Sequence, residues 1–396
     1  MFEKKCRNTV GTSMQCARIY QSPDDDSRYE ARIPTVYKSN HASNLMQLDN
    51  GDILCVWFAG SSEGAGDIKI AISRLKAGDT SWSGCRLISD DFGCSEQNPF
   101  IYDFGGGRIW VVHTAQKTRD CTRSEWEKRV ASGLCQGDYG RQETAEIRVL
   151  ESVDYGETFS ARRILNDKPG AFCRNPILKL SNGDLLIGIW YSVQDEESIR
   201  TGLSYGRDYS ACMISSDGGD TWKEYPVPNS TGRVHMQPVE MPDGTLVAFF
   251  RSRFSDRIYR SVSRDCGRTW NEPEPTILPN NNASIQAKIL KSGLIALVYN
   301  HTPYLYNDSN EVRWPGYRYP ISLALSDDGG VSWPYIRHVD HGDGYAGEKN
   351  QSCNQEFSYP SLLQTTDGRL HVSYTCQNRV CIKHVIVDEN WIRGDI

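Results

Sequence analysis

No window of this 396-residue chain approaches eighteen consecutive apolar residues, so no membrane-spanning helix and no membrane partner are expected. Positive charge is not in excess either. Lys and Arg number 44 against 50 Asp and Glu, a formal net charge of −6, whereas a nucleic-acid partner would want the opposite balance. Paired C-x-x-C spacing is absent, so no metal site is expected, and nothing in the sequence asks for a cofactor. The start, Met1-Phe2-Glu3-Lys4-Lys5-Cys6, lacks the apolar segment of a signal peptide. Sequons at Asn229, Asn282, Asn300, Asn307 and Asn350 point instead toward a secreted protein, so the compartment stays open. The 13 cysteines are an odd number, which leaves at least one unpaired and no pairing readable. Helix signals are scarce. Histidines number only 8, so where they fall carries information.

What the chain has is a recurring turn. Ser215-Ser216-Asp217-Gly218-Gly219-Asp220-Thr221-Trp222 returns at Ser152–Phe159, Ser263–Trp270 and Ser326–Trp333, with a degraded copy from Ser73 to Trp82. In each, Asp accepts from backbone N–H groups further along the turn, Gly supplies a positive φ, and Thr or Ser closes the turn over an aromatic. A second element precedes each turn: an apolar run, a tight turn ending in Gly, then another apolar run. Its copies are centred on Asn50-Gly51, Gly105–Gly107, Asn182-Gly183, Asp243-Gly244, Ser292-Gly293 and Asp367-Gly368. Each is a hairpin of two mostly buried strands. Units of four strands repeated six times predict an all-β, six-bladed β-propeller. The last unit, ending at Val385–Val387, has no turn box, so Ala31–Tyr37 is expected to supply its fourth strand. That closure makes residues 1–396 one domain, expected to be a monomer. The one helix signal, Thr122 to Leu134, opens with the capping box Thr122/Glu125 inside an insertion in the second blade, Gln116–Thr144.

Strand direction alternates within a blade, so the boxes and the Gly turns share one face. The long insertions (Gln116–Thr144, Val193–Tyr209, Thr302–Tyr317) and the linker Asp340–Phe357 share the other face, where binding loops belong. First-strand starts there carry His41, Arg174, His235, Gln286 and Tyr359. Second-strand ends carry His113, Arg251, Arg253 and His301, and third-strand starts carry Glu63, Asp67 and Arg318. Imidazoles, guanidiniums and a phenol gathered round an axis would repel one another without an anion, so a polar, anionic ligand is expected. Of the neighbours Arg251 and Arg253, Arg251 is preferred and Arg253 read as a spacer. Of Glu63 and Asp67, either of which could simply cap its loop, Glu63 is preferred, and Trp110 and Trp190 read as core.

With these residues in place the chain resembles the sialidase superfamily with Asp-box repeats, and more closely its BNR-repeat branch. The similarity runs from about His41 to Asp388 and is most specific at Phe58-Ala59-Gly60…Glu63-Gly64, Phe357-Ser358-Tyr359-Pro360 and Ile382-Lys383-His384-Val385. Sialidases hold a substrate carboxylate with three arginines, use a Tyr nucleophile assisted by a Glu, and keep an Asp as acid/base. The resemblance places Tyr359 on the nucleophile, Arg251 and Arg318 on the second and third arginines, and Glu63 near the acid/base. His41 stands where the first arginine falls and His235 where the assisting Glu falls. That altered set suits β-elimination from a uronic acid: an Arg pairs the carboxylate, a neutral His takes the proton, and a Tyr or second His protonates the leaving oxygen. His113 with Arg174 resembles the propeller-fold lyases that cleave rhamnosyl-glucuronate ends. The expectation is an enzyme acting on the non-reducing end of an acidic oligo- or polysaccharide, first as a lyase. His113, Tyr359, His41, His235 and Glu63 are the catalytic candidates, and Arg174, Arg251, Arg318, Gln286 and His301 the substrate-binding ones. An exo-acting glycoside hydrolase of sialidase type and a non-catalytic glycan-binding propeller are the alternatives.

Overall fold

The computed structural model describes residues 17–137, 139–194, 206–302, 311–314, 318–340 and 356–394. The chain enters through β1 (Tyr20–Ser22) and β2 (Asp25–Ile33), then lays down blade after blade, each a four-stranded antiparallel meander. Blade 1 is β3 (Ser39–Gln47), β4 (Ile53–Gly60), β5 (Lys69–Leu75) and β6 (Arg86–Leu87). Blade 2 is β7 (Cys94–Gly105), β8 (Arg108–Lys117), β9 (Glu146–Ser152) and β10 (Arg163–Asn166). Blade 3 splits its inner strand into β11 (Ala171–Cys173) and β12 (Leu178–Lys179), followed by β13 (Leu185–Tyr191), β14 (Tyr209–Ser215) and β15 (Lys223–Pro226). Blade 4 is β16 (Arg233–Glu240), β17 (Leu246–Ser252), β18 (Arg257–Ser263) and β19 (Glu274–Pro279). Blade 5 is β20 (Gln286–Ile289), β21 (Ile295–Asn300), β22 (Ile321–Ser326) and β23 (Tyr335–Asp340). Blade 6 is β24 (Ser358–Gln364), β25 (Leu370–Cys376) and β26 (Cys381–Val387).

The fourth strand of blade 6 is β2, which pairs with β26 from Tyr29↔Ile386 to Ile33↔Ile382. The six sheets are thereby those of a six-bladed β-propeller whose first and last segments share a blade. The closing strand lies earlier than Ala31–Tyr37, the expected span. Pro34 has no N–H to give the ladder, so pairing stops at Ile33 and the strand extends toward Asp25 instead. The second strand of each blade is sandwiched between neighbouring blades, and β4, β13, β17, β21 and β25 are buried along their whole length. That is why they read as unbroken apolar runs rather than as alternating ones.

The helix expected over Thr122–Leu134 is α1 (Arg123–Ala131), with the Thr122/Glu125 capping box formed in both directions and no residue buried. It stops at Ser132 because Gly133 takes a φ of 71°. A second helix, α2 (Glu389–Arg393), was not expected; Asp388 caps it, Gly394 ends it, and Trp391 and Ile392 pin it to the core. Among the described residues no helix is long and apolar enough to cross a membrane. Of the sequons, Asn282 and Asn300 are fully buried and Asn229 is exposed, while Asn307 and Asn350 lie outside the described residues. Burial removes the first two as glycan acceptors.

The recurring box joins third to fourth strands, as expected. In blade 3 the Asp217 carboxylate accepts from Ser215 Oγ (2.7 Å), Thr221 N (2.9 Å) and Thr221 Oγ1 (2.5 Å), and Trp222 Nε1 donates to Gly219 O (3.1 Å). Asp154, Asp265 and Asp328 repeat the pattern. The box also stitches blades together. A Cβ on Gly219 would meet the Trp110 ring of blade 2 at 2.6 Å; one on Gly267 would meet Leu186 of blade 3 at 2.6 Å; one on Gly330 would meet Phe249 of blade 4 at 2.5 Å. Each of these glycines also has a positive φ, so the preceding blade's large side chain fills the space that glycine leaves. Gly219→Ala is therefore expected to destabilise the fold by about 2–4 kcal/mol, combining backbone strain with overpacking. Gly244→Ala, at a φ of 80° with nothing within 4 Å, costs only the backbone part, about 1 kcal/mol. Equal midpoints for the two variants in urea unfolding would refute the stitching role.

Candidate active site

The site begins with a defect repeated in the innermost strands. The ladder between first and second strands slips at His41/Asn44, Gln97/Phe100, Val234/Gln237 and Ser358/Ser361. At each slip one residue takes a left-handed conformation: Ala42 (φ 60°), Asn98 (52°), His235 (55°) and Tyr359 (53°). Asn282 (55°) does the same just before β20, and blade 3 breaks its strand after Cys173. A bulge of this kind re-aims side chains and ends pairing. Here it turns polar residues out of the blade interfaces at one end of the axis.

At that end lies a cavity of about 300 Å³ with lining from all blades. Tyr359 and His235 form its floor beside a ring stack. Phe172 lies 5.1 Å from Trp190 at 19° between planes, and Trp190 lies 4.2 Å from His235 at 25°. The walls carry Arg123, Arg253, Arg318 and Arg379 against Glu63, the one carboxylate among the described lining residues. Carboxylates behind the wall hold these arginines. Arg253 donates twice to Asp208 (3.0 and 2.7 Å), and Arg318 donates to Glu356 (3.1 Å). Arg379 bridges Glu356 (3.3 Å) and Glu63 (2.6 Å). The insertion in blade 2 closes one side with Tyr139, Gly140 and Gln142, and Arg123 of α1 donates to Glu63 O (2.9 Å).

Beneath the floor the polar groups interlock. Arg251 Nη1 donates to the Tyr359 hydroxyl oxygen (2.6 Å) and to His235 Nε2 (3.2 Å), while its Nε donates to Asn282 (2.7 Å). A guanidinium only donates, so His235 Nε2 is the accepting nitrogen and Nδ1 carries the proton, given to Ser284 Oγ (3.0 Å). His41 lies against Tyr359 at 4.2 Å and reaches Thr375 Oγ1 (2.8 Å) through Nδ1. Burial, and then the surrounding arginines, hold both His41 and His235 well below the ordinary histidine value, so both are neutral. Burial alone would push the Tyr359 phenol up, but Arg251 and Arg318 outweigh it and the phenol ends below the ordinary tyrosine value. Burial brings Arg251 itself down to about 9. The Glu63 carboxyl is opposed by burial yet held below the usual glutamate range, chiefly by Arg379.

Of the residues expected from sequence, Tyr359, His235, Glu63 and Arg318 line the cavity, with His41 and Arg251 packed directly under it. The others are elsewhere. Arg174 is fully buried and spans the axis, donating to the carbonyls of Ser43 (3.0 Å), Tyr359 (3.0 Å) and Pro360 (3.2 Å), so it supports the floor without facing the cavity. His113 is buried between blades 1 and 2 with its Nε2 on Glu96 (3.1 Å). Gln286 accepts from the Leu362 backbone N–H through Oε1 and lines a different cavity among the inner strands. His301 bonds the Tyr299 hydroxyl (2.5 Å) outside the site. Of the two loop carboxylates it is Asp67 that caps the loop, accepting from Ser61 N and Oγ.

The order of Arg251 and Arg253 is reversed: Arg253 faces the cavity and Arg251 lies below it. Trp190, read as core, is almost wholly buried yet contributes its ring to the floor. Arg379, Glu356 and Arg123 were missed. Arg379 sits in the turn that follows a second strand, four residues before Lys383 of the Ile382–Val385 motif, so its position alone could have flagged it. Among the described residues no group of three or more His, Cys, Asp or Glu is arranged to hold a metal ion.

The family profile described as BNR repeat-like domain matches residues 51–372. A sialidase of Bacteroides fragilis (strain YCH46) is 22% identical over 335 residues, covering 78% of this chain and 55% of the relative. An anhydrosialidase of Macrobdella decora is 26% identical over 170 residues, covering 41% of this chain and 21% of that protein. The chain thus spans about half the length of the first relative and about a fifth of the second. Among solved structures, a Hadza microbial sialidase superposes with a TM-score of 0.66 at 18% identity, covering 89% of this chain and 66% of that one. The leech intramolecular trans-sialidase gives 0.65 at 16%, covering 91% and 69%. At these identities the superpositions speak for the fold. Together with the profile match over most of the chain, they place the protein in the BNR repeat-like family, a sialidase-superfamily β-propeller.

Proposed function

We propose that the protein is an exo-acting glycoside hydrolase of sialidase type, taking a non-reducing-terminal sugar acid whose carboxylate sits beside the anomeric carbon. The observation that carries this is the Arg251–Tyr359 contact on the floor of an arginine-lined cavity. A phenol oxygen that accepts a 2.6 Å bond from a buried guanidinium, and is held below the ordinary tyrosine value, is an activated nucleophile. Guanidiniums replace the general base here; His235 is not a base for Tyr359, since its accepting nitrogen is already engaged by Arg251. Arg318, Arg379 and Arg253 supply the donors for a carboxylate, with planar, fork-like geometry suited to it. The relatives named as sialidases support the same substrate class.

The Tyr359 oxygen attacks the anomeric carbon and the glycosidic C–O bond breaks, its electron pair leaving with the aglycone oxygen. Water then attacks the anomeric carbon, its proton passing to the Glu63 carboxylate, and the C–O bond to Tyr359 breaks with its electron pair returning to the phenol oxygen. Because Arg379 keeps Glu63 ionised, proton delivery to the leaving group is weak. Aryl glycosides, which leave without a proton, are therefore the favoured substrates. β-Elimination would draw on His113 and Arg174, and neither lines this cavity.

Aryl sialosides should be hydrolysed to a saturated sugar carrying solvent oxygen, and Tyr359→Phe should lower kcat by about 10³-fold or more. An unsaturated, ultraviolet-absorbing uronate product from a glucuronate glycan, with aryl sialosides untouched, would replace this reading with the lyase. No turnover of either would leave a binding protein. The pH dependence follows from the phenol. Its ionised form is the nucleophile and its pKa is depressed, so kcat/KM should rise with pH through a limb below the ordinary tyrosine value of 10.0. Arg251→Met should move that limb upward, because it removes the strongest charge favouring the phenolate. A limb that stays put in the variant would show that Arg251 does not activate Tyr359.

A further inference from the structure

The wall arginine that sequence reading missed, Arg379, is presented by a turn with a thiol at each end. Cys376 closes β25 and Cys381 opens β26, and the two are direct partners across the ladder. Directly opposed residues of an antiparallel pair hold their Cα atoms ~4.5–5.5 Å apart, inside the ~4.4–6.8 Å that a disulfide spans. Both thiols are buried, and the Cys381 S–H donates to Gln377 Oε1 (4.0 Å) within the same turn. Only Gln377, Asn378, Arg379 and Val380 lie between them.

That turn is costly to hold. Gln377 (φ 51°), Asn378 (54°) and Arg379 (70°) are three consecutive non-glycine residues in the left-handed region. Blade 1 braces it. The Asn40 backbone N–H donates to Arg379 O (2.8 Å), and its side-chain amide donates to Arg379 O (3.2 Å) and Val380 O (3.1 Å). From this turn Arg379 reaches Glu63 in the cavity wall and Glu356 behind it. Strands untied at the root of a strained turn let it open; strands joined there do not.

We propose that Cys376 and Cys381 are a disulfide site, and that the bond fixes the turn that positions Arg379 in the cavity. The Cys381 thiolate attacks a disulfide oxidant of the glutathione class, forming a mixed disulfide and expelling one thiol. The Cys376 thiolate then displaces the second thiol. Two electrons pass to the oxidant, and the protons of both cysteines leave with the two released thiols. Cys381 is the more exposed of the two thiols, 7% against 2%, so the first attack falls to it. Only the effect on substrate rests on the hydrolase reading; the bond itself does not.

The full chain is equilibrated, and separately refolded, in reduced and in oxidised glutathione, then alkylated, digested and mapped by mass spectrometry. In the oxidised buffer the Cys376 and Cys381 peptides should be found joined and lighter by two hydrogens. Amide exchange across residues 377–380 should slow by about tenfold on oxidation. KM for an aryl sialoside should fall by about threefold with kcat unchanged, the signature of a binding group held in place. Cys376→Ser and Cys381→Ser, singly or together, should abolish the redox dependence and keep the turnover of reduced wild type. Both thiols still alkylated after oxidative refolding, or either found bonded to another cysteine, would overturn the site. A bond that forms without slowing exchange, or without changing KM, would overturn the positioning role. A bond and a slowed turn in a protein with no turnover in either state would remove the hydrolase reading and leave the disulfide standing.

Discussion

The left-handed residue in the innermost strand is the constraint on which the rest of the molecule turns. Each costs on the order of 1–3 kcal/mol in backbone strain, which only a surrounding sheet that permits no other conformation can hold. The second strands do this, buried along their length between neighbouring blades. At Tyr359 and His235 the bulge releases a side chain from the ladder and delivers it to the end of the axis. Without the slip in register, period-two alternation would carry these side chains into an apolar interface between blades.

Electrostatics then decide what the gathered residues can be. Arg174 and Arg251 lie buried under the floor, and Arg253, Arg318 and Arg379 stand above it with Asp208, Glu356 and Glu63 as counter-charges. The wall charges are paired with carboxylates, whereas Arg174 and Arg251 are held by hydrogen bonds to uncharged groups. An imidazole among so many guanidiniums stays neutral, so His235 can accept from Arg251 and add no further positive charge. The same field pulls the Tyr359 phenol toward its ionised form. One set of arginines thus lines the cavity, pulls the Tyr359 phenol down and ties blades together, and Arg174 shows the last by itself, joining blades 1, 3 and 6 through backbone carbonyls.

Much of this was legible from residue order. The Asp boxes and the Gly hairpins are local hydrogen-bond patterns, so counting them yields six blades, and the face rule put the insertions at the cavity's end. Tyr359, His235, Glu63 and Arg318 were found by that rule. It failed where depth mattered. Arg251 and Arg253 share one side of a strand, and only the bulged partner strand decides which is under the floor and which above it. His113 lies inside β8 and Arg174 just past β11, where Glu96 of its own blade claims the first and three carbonyls of blades 1 and 6 claim the second.

What residue order determined was the unit: a hairpin, a boxed turn, their number, and an arginine-, histidine- and tyrosine-bearing rim, because each depends on contacts within a few residues. What the tertiary structure alone decided was membership of the site. Arg379 meets Glu63 across 316 positions of chain, and Arg251 meets Tyr359 across 108. Contacts at that separation are set by the closing of the ring, through the β2–β26 pairing, and by the axial bulges, and neither leaves a local signature from which the partners could be named.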